Sequence, residues 1–415
     1  MNQPFAGKVV ALLAGILVSA LAIAASDVPG GTPSPASTCL SAATWTRLDG
    51  ARPLAADAGL VIAEMAKKEV VLLGEQHDAA DDHHWQLQTL SALHAQRPQM
   101  EIGFEMFPRR LQPVLDRWVA GDLTVRQFIE QSDWDKVWAL PIELYLPLFE
   151  FARMNRIPML ALNIERKLSQ TLAEKGWDAV PLAEREGVSR AAPPSAAYRD
   201  FLLDTYRQHL EMQDEDNAKA EKYARGIKHE TNRKFEYFVE SQTTWDRAMA
   251  EALASRIAPG PGGKKPLLVG IMGSGHLRFG YGVPHQLSDL GVKNTGILMS
   301  VAVDAECATI RSGLADAVFA LPKQAAAAVE PPRLGVRLDG GEGKVSLADV
   351  TAGSLAEKSG LKRGDRLLEV AGQSATNIPQ IIAAIRRQPG GTWLPLKILR
   401  GDDTLDVVIR FPVRP

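Results

Sequence analysis

The sequence has little cysteine and almost no net charge. Only Cys39 and Cys307 occur in 415 residues, and 47 basic side chains nearly balance 49 acidic ones, which gives a formal net charge of −2. Because there is no long run of Lys and Arg, we expect no nucleic-acid partner. In an oxidising compartment the two cysteines could join the start of the first domain to its end. Two unrelated thiols remain an equal alternative, since the sequence does not give their separation.

Two catalytic motifs are also missing. There is no His-Glu-x-x-His sequence, so a standard zinc peptidase is not supported. There is no Gly-x-Ser-x-Gly elbow either, which argues against covalent serine catalysis. Chemistry carried by histidines and carboxylates stays open.

The length and the N-terminus indicate an exported protein with two domains. A chain of 415 residues exceeds what one ordinary core requires. Residues 1–25 are predicted to be a signal peptide, because Lys8 precedes an apolar segment that ends in Ala22-Ile-Ala24. An uncleaved membrane anchor is the alternative, since the segment is only slightly short of a span. Residues 26–44 are predicted to be a flexible leader. We therefore expect a periplasmic or membrane-associated protein whose signal peptide is cleaved.

Short apolar runs alternate with amphipathic helical stretches. Five runs read as buried strands: residues 70–73, 100–107, 157–163, 266–272 and 295–301. This alternation predicts an α/β fold with a parallel sheet flanked by helices on both faces. We assign this domain to residues 45–321.

Ionisable side chains follow the ends of the predicted strands. The first strand ends at Glu75 and His77, the second ends at Glu105, and the fourth runs into Gly273-Ser-Gly-His276. Parallel strands place their carboxyl ends on one edge of the sheet, where ligands of such folds bind. We therefore expect these groups to converge, and clusters of this kind are candidate functional sites.

The chemistry of this cluster has several interpretations. Gly74-Glu-Gln-His77 and Gly273-Ser-Gly-His276 share the form Gly-x-x-His, in which glycine permits a sharp exit from the strand. Imidazole and carboxylate ligands for a divalent metal ion could come from His77, His276 and Glu75 or Glu105, with His83 or His84. Without a metal, Glu75 and His77 could act as base and proton carrier. A purely structural role is the competing interpretation, but burying so many ionisable groups is costly.

Longer motifs resemble a known family. They are Leu73-Gly-Glu-x-His77 with His83-His84, Gly103-Phe-Glu-Met-Phe107, Ala161-Leu-Asn-Ile164, Ser241-Gln-x-x-Trp-Asp-x-x-Met-Ala250 and Gly273-Ser-Gly-His-x-Arg278. In this order they resemble the ChaN-like proteins of the haem-binding uptake and Tiki superfamily. The resemblance implies an exported protein that binds haem, an iron porphyrin, for iron uptake or haem handling. Other branches are regarded as metal-dependent proteases or esterases, so a hydrolase with catalytic Glu75, His77 and His276 is the alternative.

The resemblance also implies an iron ligand. In the haem-binding branch a tyrosine is thought to ligate iron, and the candidates here are Tyr281 and Tyr145. A haem site needs an apolar slot and cations for the propionates, which Phe279, Met272 and Arg278 could provide. The predicted cofactor-binding set is completed by His83, His84 and Glu105. Covalent c-type attachment is excluded because no Cys-x-x-Cys-His is present. Both a monomer and a homodimer stay open.

The composition changes near the C-terminus. Residues 322–330 are predicted to be a linker. Residues 331–415 resemble a PDZ domain of the bacterial protease-associated type, a small β-rich α+β fold, most strongly at Gly360-Leu-Lys-Arg-Gly-Asp365. This resemblance implies that the C-terminus of a peptide or protein partner adds as a strand beside a helix that begins near Ile378. The predicted contacts to its carboxylate come from Leu334, Gly335 and Val336. A PDZ fold that serves only packing is the alternative.

Overall fold

The computed structural model describes residues 39–50, 52–213, 233–258, 265–323, 333–341, 344–386 and 388–413. The predicted signal peptide, the predicted leader up to residue 38 and the linker residues 324–330 lie outside this description. Among the described residues, no helix is both long and apolar enough to cross a membrane. The chain divides into two compact units, residues 1–323 and 324–415, and each is described by itself.

The first unit contains one sheet, which has eight strands within the described residues. They are β1 (Trp45–Arg47), β2 (Leu54–Ala56), β3 (Val70–Glu75), β4 (Met100–Pro108), β5 (Met159–Asn163), β6 (Leu267–Gly273), β7 (Thr295–Ala302) and β8 (Ala317–Leu321). Their order across the sheet is β2-β1-β8-β7-β3-β6-β4-β5. The six strands from β8 to β5 are parallel. The α/β prediction is therefore confirmed, although β1 and β2 add an antiparallel edge that the sequence analysis did not predict.

Helices cover both faces of this sheet. They are α1 (Ala58–Met65), α2 (Ala80–Gln96), α3 (Gln112–Ala120), α4 (Val125–Gln131), α5 (Trp134–Val137), α6 (Ile142–Met154), α7 (Arg166–Lys175), α8 (Ala196–Gln213), α9 (Arg233–Ala254) and α10 (Val283–Asp289). The unbroken apolar run of β3 suits its central place. Val71 and Leu73 face a core shared with α1, α2, α3 and α6, whereas Val70 and Leu72 face a second core shared with α9 and α10.

The strands β3 and β6 lie side by side and their connections leave in opposite directions. From β3 the chain passes through α2 to β4, beyond β6, and from β6 it passes through α10 to β7, beyond β3. Such a reversal opens a crevice at the carboxyl ends of the two strands, where ligands of open α/β sheets bind. The parallel register pairs Glu75 with Gly273, so the predicted site residues of both strands begin at one level.

One arginine links the amino ends of β3 and β6, away from the crevice at their carboxyl ends. The Arg97 guanidinium donates from Nη1 to the carbonyls of Ala66 and Lys68 at 3.1 and 2.6 Å. From Nη2 it donates to the carbonyls of Lys265 and Pro266 at 2.9 and 3.1 Å. The approaches to β3 and β6 are thereby fixed to each other, which sets the relative position of their carboxyl ends.

The second unit is an antiparallel sheet with two helices in its described residues. Its strands are β9 (Val336–Gly341), β10 (Lys344–Val350), β11 (Arg366–Val370), β12 (Gln373–Ser374), β13 (Trp393–Arg400) and β14 (Asp403–Arg410), and its helices are α11 (Leu355–Lys358) and α12 (Ile378–Arg386). The path β14-β13-β11-β10-β9 leaves β9 at one edge, and β12 pairs with β11. The predicted small, β-rich fold is confirmed.

We expect Arg97→Ala to destabilise the first unit by about 2–3 kcal/mol, because it removes a charged donor from four carbonyls, three of them in partly buried hydrogen bonds. Urea denaturation followed by tryptophan fluorescence measures the change. The matched control is Arg126→Ala, whose side chain is 72% exposed and forms a surface ion pair with Glu130. A loss no larger in Arg97→Ala than in Arg126→Ala would contradict the role of Arg97.

Candidate functional site

Glu75, the last residue of β3, is the centre of a buried hydrogen-bond network. Its Oε1 accepts from His77 Nδ1 at 2.8 Å and from the Tyr145 hydroxyl, on α6, at 2.6 Å. Its Oε2 accepts from the Gln86 amide, on α2, at 2.8 Å. Burial raises the pKa of Glu75, but the hydrogen bond from His77 and the electrostatic interactions with the His77 and His83 rings outweigh burial, so this pKa lies below its usual value. Glu75 is therefore a carboxylate at neutral pH.

His77 lies between Glu75 and the end of β6. Its ring packs edge-on against Trp138, with 4.8 Å between ring centroids, and its side chain is 13% exposed. Burial lowers the pKa of His77, but the charge of Glu105 and the hydrogen bond with Glu75 outweigh it and raise this pKa to about 9. His77 is thus an imidazolium at neutral pH.

A second network of the same composition surrounds His276. Its Nδ1 contacts Asp246 Oδ1, on α9, at 2.6 Å, and the Tyr198 hydroxyl, on α8, donates to Asp246 Oδ2 at 2.7 Å. Burial lowers the pKa of His276, but the hydrogen bond with Asp246 outweighs it and this pKa lies above its usual value. Each Gly-x-x-His histidine is therefore held at Nδ1 by a carboxylate, and each carboxylate accepts from a buried tyrosine.

Glu105, on β4, lies between the two networks. Its Oε2 accepts the Gly273 N–H at 2.7 Å, and its Oε1 lies 3.8 Å from His276 Nε2. Glu105 is fully buried, and Oε1 has no hydrogen-bond partner within the described residues. The two tyrosine–carboxylate–histidine networks, Tyr145–Glu75–His77 and Tyr198–Asp246–His276, therefore converge on one carboxylate.

Gly273 provides space rather than a sharp turn. Its φ of −57° is ordinary for any residue. The prediction that glycine permits a sharp exit from the strand is therefore wrong for β6. A Cβ at Gly273 would lie 3.0 Å from His77 Nε2 and 3.7 Å from Glu105 Oε2. Glycine is needed because the His77 ring packs directly on the backbone of β6.

The structure separates the other predicted residues into buried and exposed ones. Tyr145 is fully buried, and its hydroxyl also contacts the His77 carbonyl at 3.1 Å. His83 is buried as well, and its ring nitrogens contact Gln86 Oε1 at 3.2 Å and the His77 carbonyl at 3.1 Å. His84 instead has a side chain that is 67% exposed and lies 3.9 Å from Asp81. Neighbouring residues of a helix point in different directions, so of these two residues of α2 only His83 faces the cluster.

Arg278 and Tyr281 lie on a half-buried segment directly after His276. The Tyr281 ring stacks on Tyr198, with 5.4 Å between ring centroids, and it lies 5.6 Å from the Phe279 ring. Phe279 has a positive φ of 57°, an unusual conformation for an aromatic residue. Within the described residues, the Arg278 guanidinium has no acidic partner and its buried Nε has no hydrogen bond. Burial lowers the pKa of Arg278.

The sequence analysis missed Asp246 and Tyr198. Both lie on helices rather than at strand ends, so the argument from strand ends could not find them. Asp246 lies inside the quoted motif Ser241-Gln-x-x-Trp-Asp-x-x-Met-Ala250, between the apolar residues Trp245 and Met249. An acidic residue among apolar neighbours on a helix was the signal that could have revealed it.

The cluster does not have the geometry of a metal centre. Among the described residues, no group of three or more His, Cys, Asp or Glu side chains is arranged to hold a metal ion. The arrangement instead links acids and imidazoles through hydrogen bonds, and such a network can share and move protons.

In the second unit, the predicted peptide-binding residues surround the start of the edge strand β9. The carbonyls of Leu334 and Gly335 accept from Ala356 and Thr351 at 3.0 and 2.8 Å. Gly335 has a φ of +78°, where any Cβ would collide with the Ser354 side chain. Ile378, at the start of α12, packs against Gly340 of β9. An apolar cleft is lined by residues that include Val336, Leu338, Ile381 and Ile385.

Comparison with known families matches both units. The family described as "Haem-binding uptake, Tiki superfamily, ChaN" matches residues 61–287, and the PDZ domain family matches residues 347–400. These matches confirm the resemblances of both units. No curated protein sequence matches the chain significantly.

Solved structures with similar parts are distant in sequence. One is "Cofacial heme binding to ChaN of Campylobacter jejuni", with 18% identity over 66% of this chain and 96% of that chain and a TM-score of 0.47. The serine endoprotease from Yersinia pestis is 22% identical over 20% of this chain and 29% of that chain, with a TM-score of 0.18. The HtrA3 PDZ domain with a phage-derived ligand is 19% identical over 19% of this chain and 82% of that chain, with a TM-score of 0.17.

We expect the stability of the first unit to depend on the charge of His77. Because the folded pKa of about 9 exceeds the usual 6.5, the contribution is complete below pH 6.5 and is lost as the pH rises to about 9. It amounts to at most about 3.5 kcal/mol. Urea denaturation of the wild type and of His77→Asn at pH 6.5 and pH 9 measures it. The stability difference between the two proteins should shrink at the higher pH, and an unchanged difference would contradict the assigned charge.

Proposed function

The chain belongs to the haem-binding uptake, Tiki superfamily, ChaN family, and from this premise we propose that its first unit binds haem outside the cytoplasm for iron uptake or haem handling. Its second unit is a PDZ domain, which we propose recruits the carboxyl end of a partner polypeptide. Export, cleavage of the signal peptide and the periplasmic or membrane-associated location are part of this proposal, and the N-terminal apolar segment supports them.

The segment from Arg278 to Tyr281 is the observation that carries the proposal of haem binding. It combines a half-buried phenol, an aromatic surface and a guanidinium without an acidic partner in the described part of the chain. These are the elements that a haem site needs: an axial ligand, an apolar contact and a cation for the propionates. Bound there, haem would supply an iron centre that exchanges ligands and electrons.

Tyr281 is the better of the two candidate iron ligands. The hydroxyls of Tyr145 and Tyr198 both donate to buried carboxylates at 2.6 and 2.7 Å, and ligation through either would break a network. The Tyr281 hydroxyl makes no hydrogen bond to the described residues, and the residue is half-buried. His83 and Glu105 are buried, and His84 is exposed and does not face the cluster, so we assign none of these three a direct contact with iron.

The buried networks would hold Tyr281, the proposed iron ligand, in position and would not contact the iron themselves. Asp246 holds the Tyr198 hydroxyl, and Tyr198 provides the surface on which Tyr281 stacks. Because Asp246 also holds His276, the position of Tyr281 depends on the same hydrogen bonds that organise the crevice. In this role the Arg278 guanidinium would pair with a propionate and regain the solvation that burial removes.

A metal-dependent hydrolase is the second candidate. The observation that favours it is the carboxylate on Nδ1 of both His77 and His276, which is how proteins commonly orient metal-binding histidines. Glu105 Oε1, buried without a hydrogen bond in the described structure, would supply the third ligand. A divalent ion there would act as a Lewis acid. This candidate would require the side chains to move, because they are not arranged as a metal centre within the described residues.

The PDZ proposal rests on the exposed edge of β9. Within the described residues the N–H groups of Leu334 and Gly335 donate no hydrogen bond, while their carbonyls are used inside the domain. A terminal carboxylate could accept from these N–H groups, and the peptide could then pair with β9 in the groove next to Ile378. An apolar last side chain would suit the apolar cleft.

A haemin titration of the full chain, followed by absorbance, tests the first proposal. We expect a saturable Soret shift, at least about tenfold weaker binding in Tyr281→Phe, since an axial bond is lost, and weaker binding in Arg278→Gln. Tyr237→Phe is the matched control, because Tyr237 is another half-buried tyrosine and lies away from this segment on α9.

Two other outcomes of this titration would contradict the proposal or its choice of iron ligand. The absence of a saturable shift would overturn the proposal of haem binding, and metal analysis with a chelator control would then test the hydrolase. An unchanged affinity in Tyr281→Phe would place the iron ligand elsewhere.

We expect the PDZ domain to bind pentapeptides that end in an apolar residue with a free carboxylate. C-terminal amidation should weaken binding at least about tenfold, because the N–H groups lose a charged acceptor. Ile378→Lys in the full chain should also weaken binding, and Lys358→Ala, an exposed residue of α11, is the control. Fluorescence polarisation measures the affinities. Equal binding of free and amidated peptides would be incompatible with carboxylate recognition.

A further inference from the structure

The two cysteines of the chain lie together at the carboxyl edge of the first sheet. Both cysteines are exposed, and the Cys39 thiol is in hydrogen-bonding contact with Cys307. Burial and this hydrogen bond raise the pKa of Cys39. Residues far apart in sequence thus present their sulfur atoms to each other.

The backbones that carry the cysteines are independently fixed near each other. Leu40 and Ile310, which follow Cys39 and Cys307 closely in sequence, are buried in the same apolar core. The Ala43 N–H donates to the Ala320 carbonyl at 2.8 Å, and β1 pairs with β8. The contact between the thiols is therefore a consequence of the fold rather than of two flexible tails.

We propose that Cys39 and Cys307 close an intramolecular disulfide in the exported protein. In the reaction, one thiolate attacks the disulfide of an oxidant such as oxidised glutathione and displaces one of its thiols. The second cysteine thiolate then attacks this mixed disulfide and releases the other thiol. The two cysteines lose two protons and two electrons, and the oxidant is reduced to two thiols.

The bond would restrain the loop that contacts the proposed haem-binding segment. Cys307 lies between β7 and β8, in the same loop as Arg311 and Leu314. The Leu314 carbonyl accepts the Phe279 N–H at 3.0 Å, and the Arg311 guanidinium lies 4.7 Å from the centroid of the Phe279 ring. By fixing this loop to the segment before β1, the disulfide stabilises the positive φ of Phe279 and the position of Tyr281.

Thiol counting in the full chain tests the bond. The protein is produced with its own leader, recovered from the periplasm of a bacterial host, denatured and treated with N-ethylmaleimide before and after reduction. We expect the mass of the monomer to show no alkylated thiol before reduction and two after it. Any alkylation before reduction, or a disulfide-linked dimer on a non-reducing gel, would overturn the proposal.

Thermal unfolding tests the restraint. Reduction should lower the melting temperature of the first unit by on the order of 5–10 °C, because the bond closes a long loop. The Cys39→Ser/Cys307→Ser variant should melt like the reduced protein and should not respond to reductant. Equal melting of the oxidised and reduced wild type would overturn the restraint. Since neither readout involves haem, these results are independent of the proposed haem binding.

Discussion

The hydrogen bond between a buried carboxylate and a histidine Nδ1, present twice in one crevice, is the interaction on which the first unit depends. Glu75 holds His77 and Asp246 holds His276, at 2.8 and 2.6 Å. Buried charges are tolerated only when they are paired and hydrogen-bonded. Each network therefore requires its own tyrosine donor and its own helix to carry that donor, and the His77 ring also needs the space that glycine leaves at position 273 of β6.

The parts that follow from short apolar runs could be predicted from the sequence. An apolar, β-branched run of this length is typical of a strand buried on both faces, so the parallel core and the groups at its carboxyl edge were accessible. The edge strands β1 and β2 were not, because three residues carry no periodicity. Asp246 and Tyr198 were not either, because helices present side chains on all sides and the sequence does not show which side meets the crevice. The same limit applies to His83 and His84, whose neighbouring positions on α2 give them opposite environments.

Tyrosine illustrates how burial changes the meaning of a residue type. Tyr145, Tyr198 and Tyr281 all contact the networks or their edge, and sequence alone made two of them equivalent candidates for an iron ligand. Burial and the negative charge of Glu75 raise the pKa of Tyr145 well above its usual value, and burial together with the charge of Asp246 does the same to Tyr198. Both are thus donors that keep their protons. Tyr281, which makes no hydrogen bond to the described residues, is the phenol left to ligate iron in the proposed haem site at the edge of the crevice.

Resonance Raman spectroscopy of the haemin-loaded full chain tests the central claim most directly, since it identifies the axial ligand independently of affinity. The account predicts the vibrations of an iron-bound phenolate in the wild type and in His77→Ala, and their loss in Tyr281→Phe. An imidazole-bound spectrum, or a phenolate signature that persists in Tyr281→Phe, would contradict the account. In that account the buried networks hold Tyr281 in position, and Tyr281 alone ligates the haem iron.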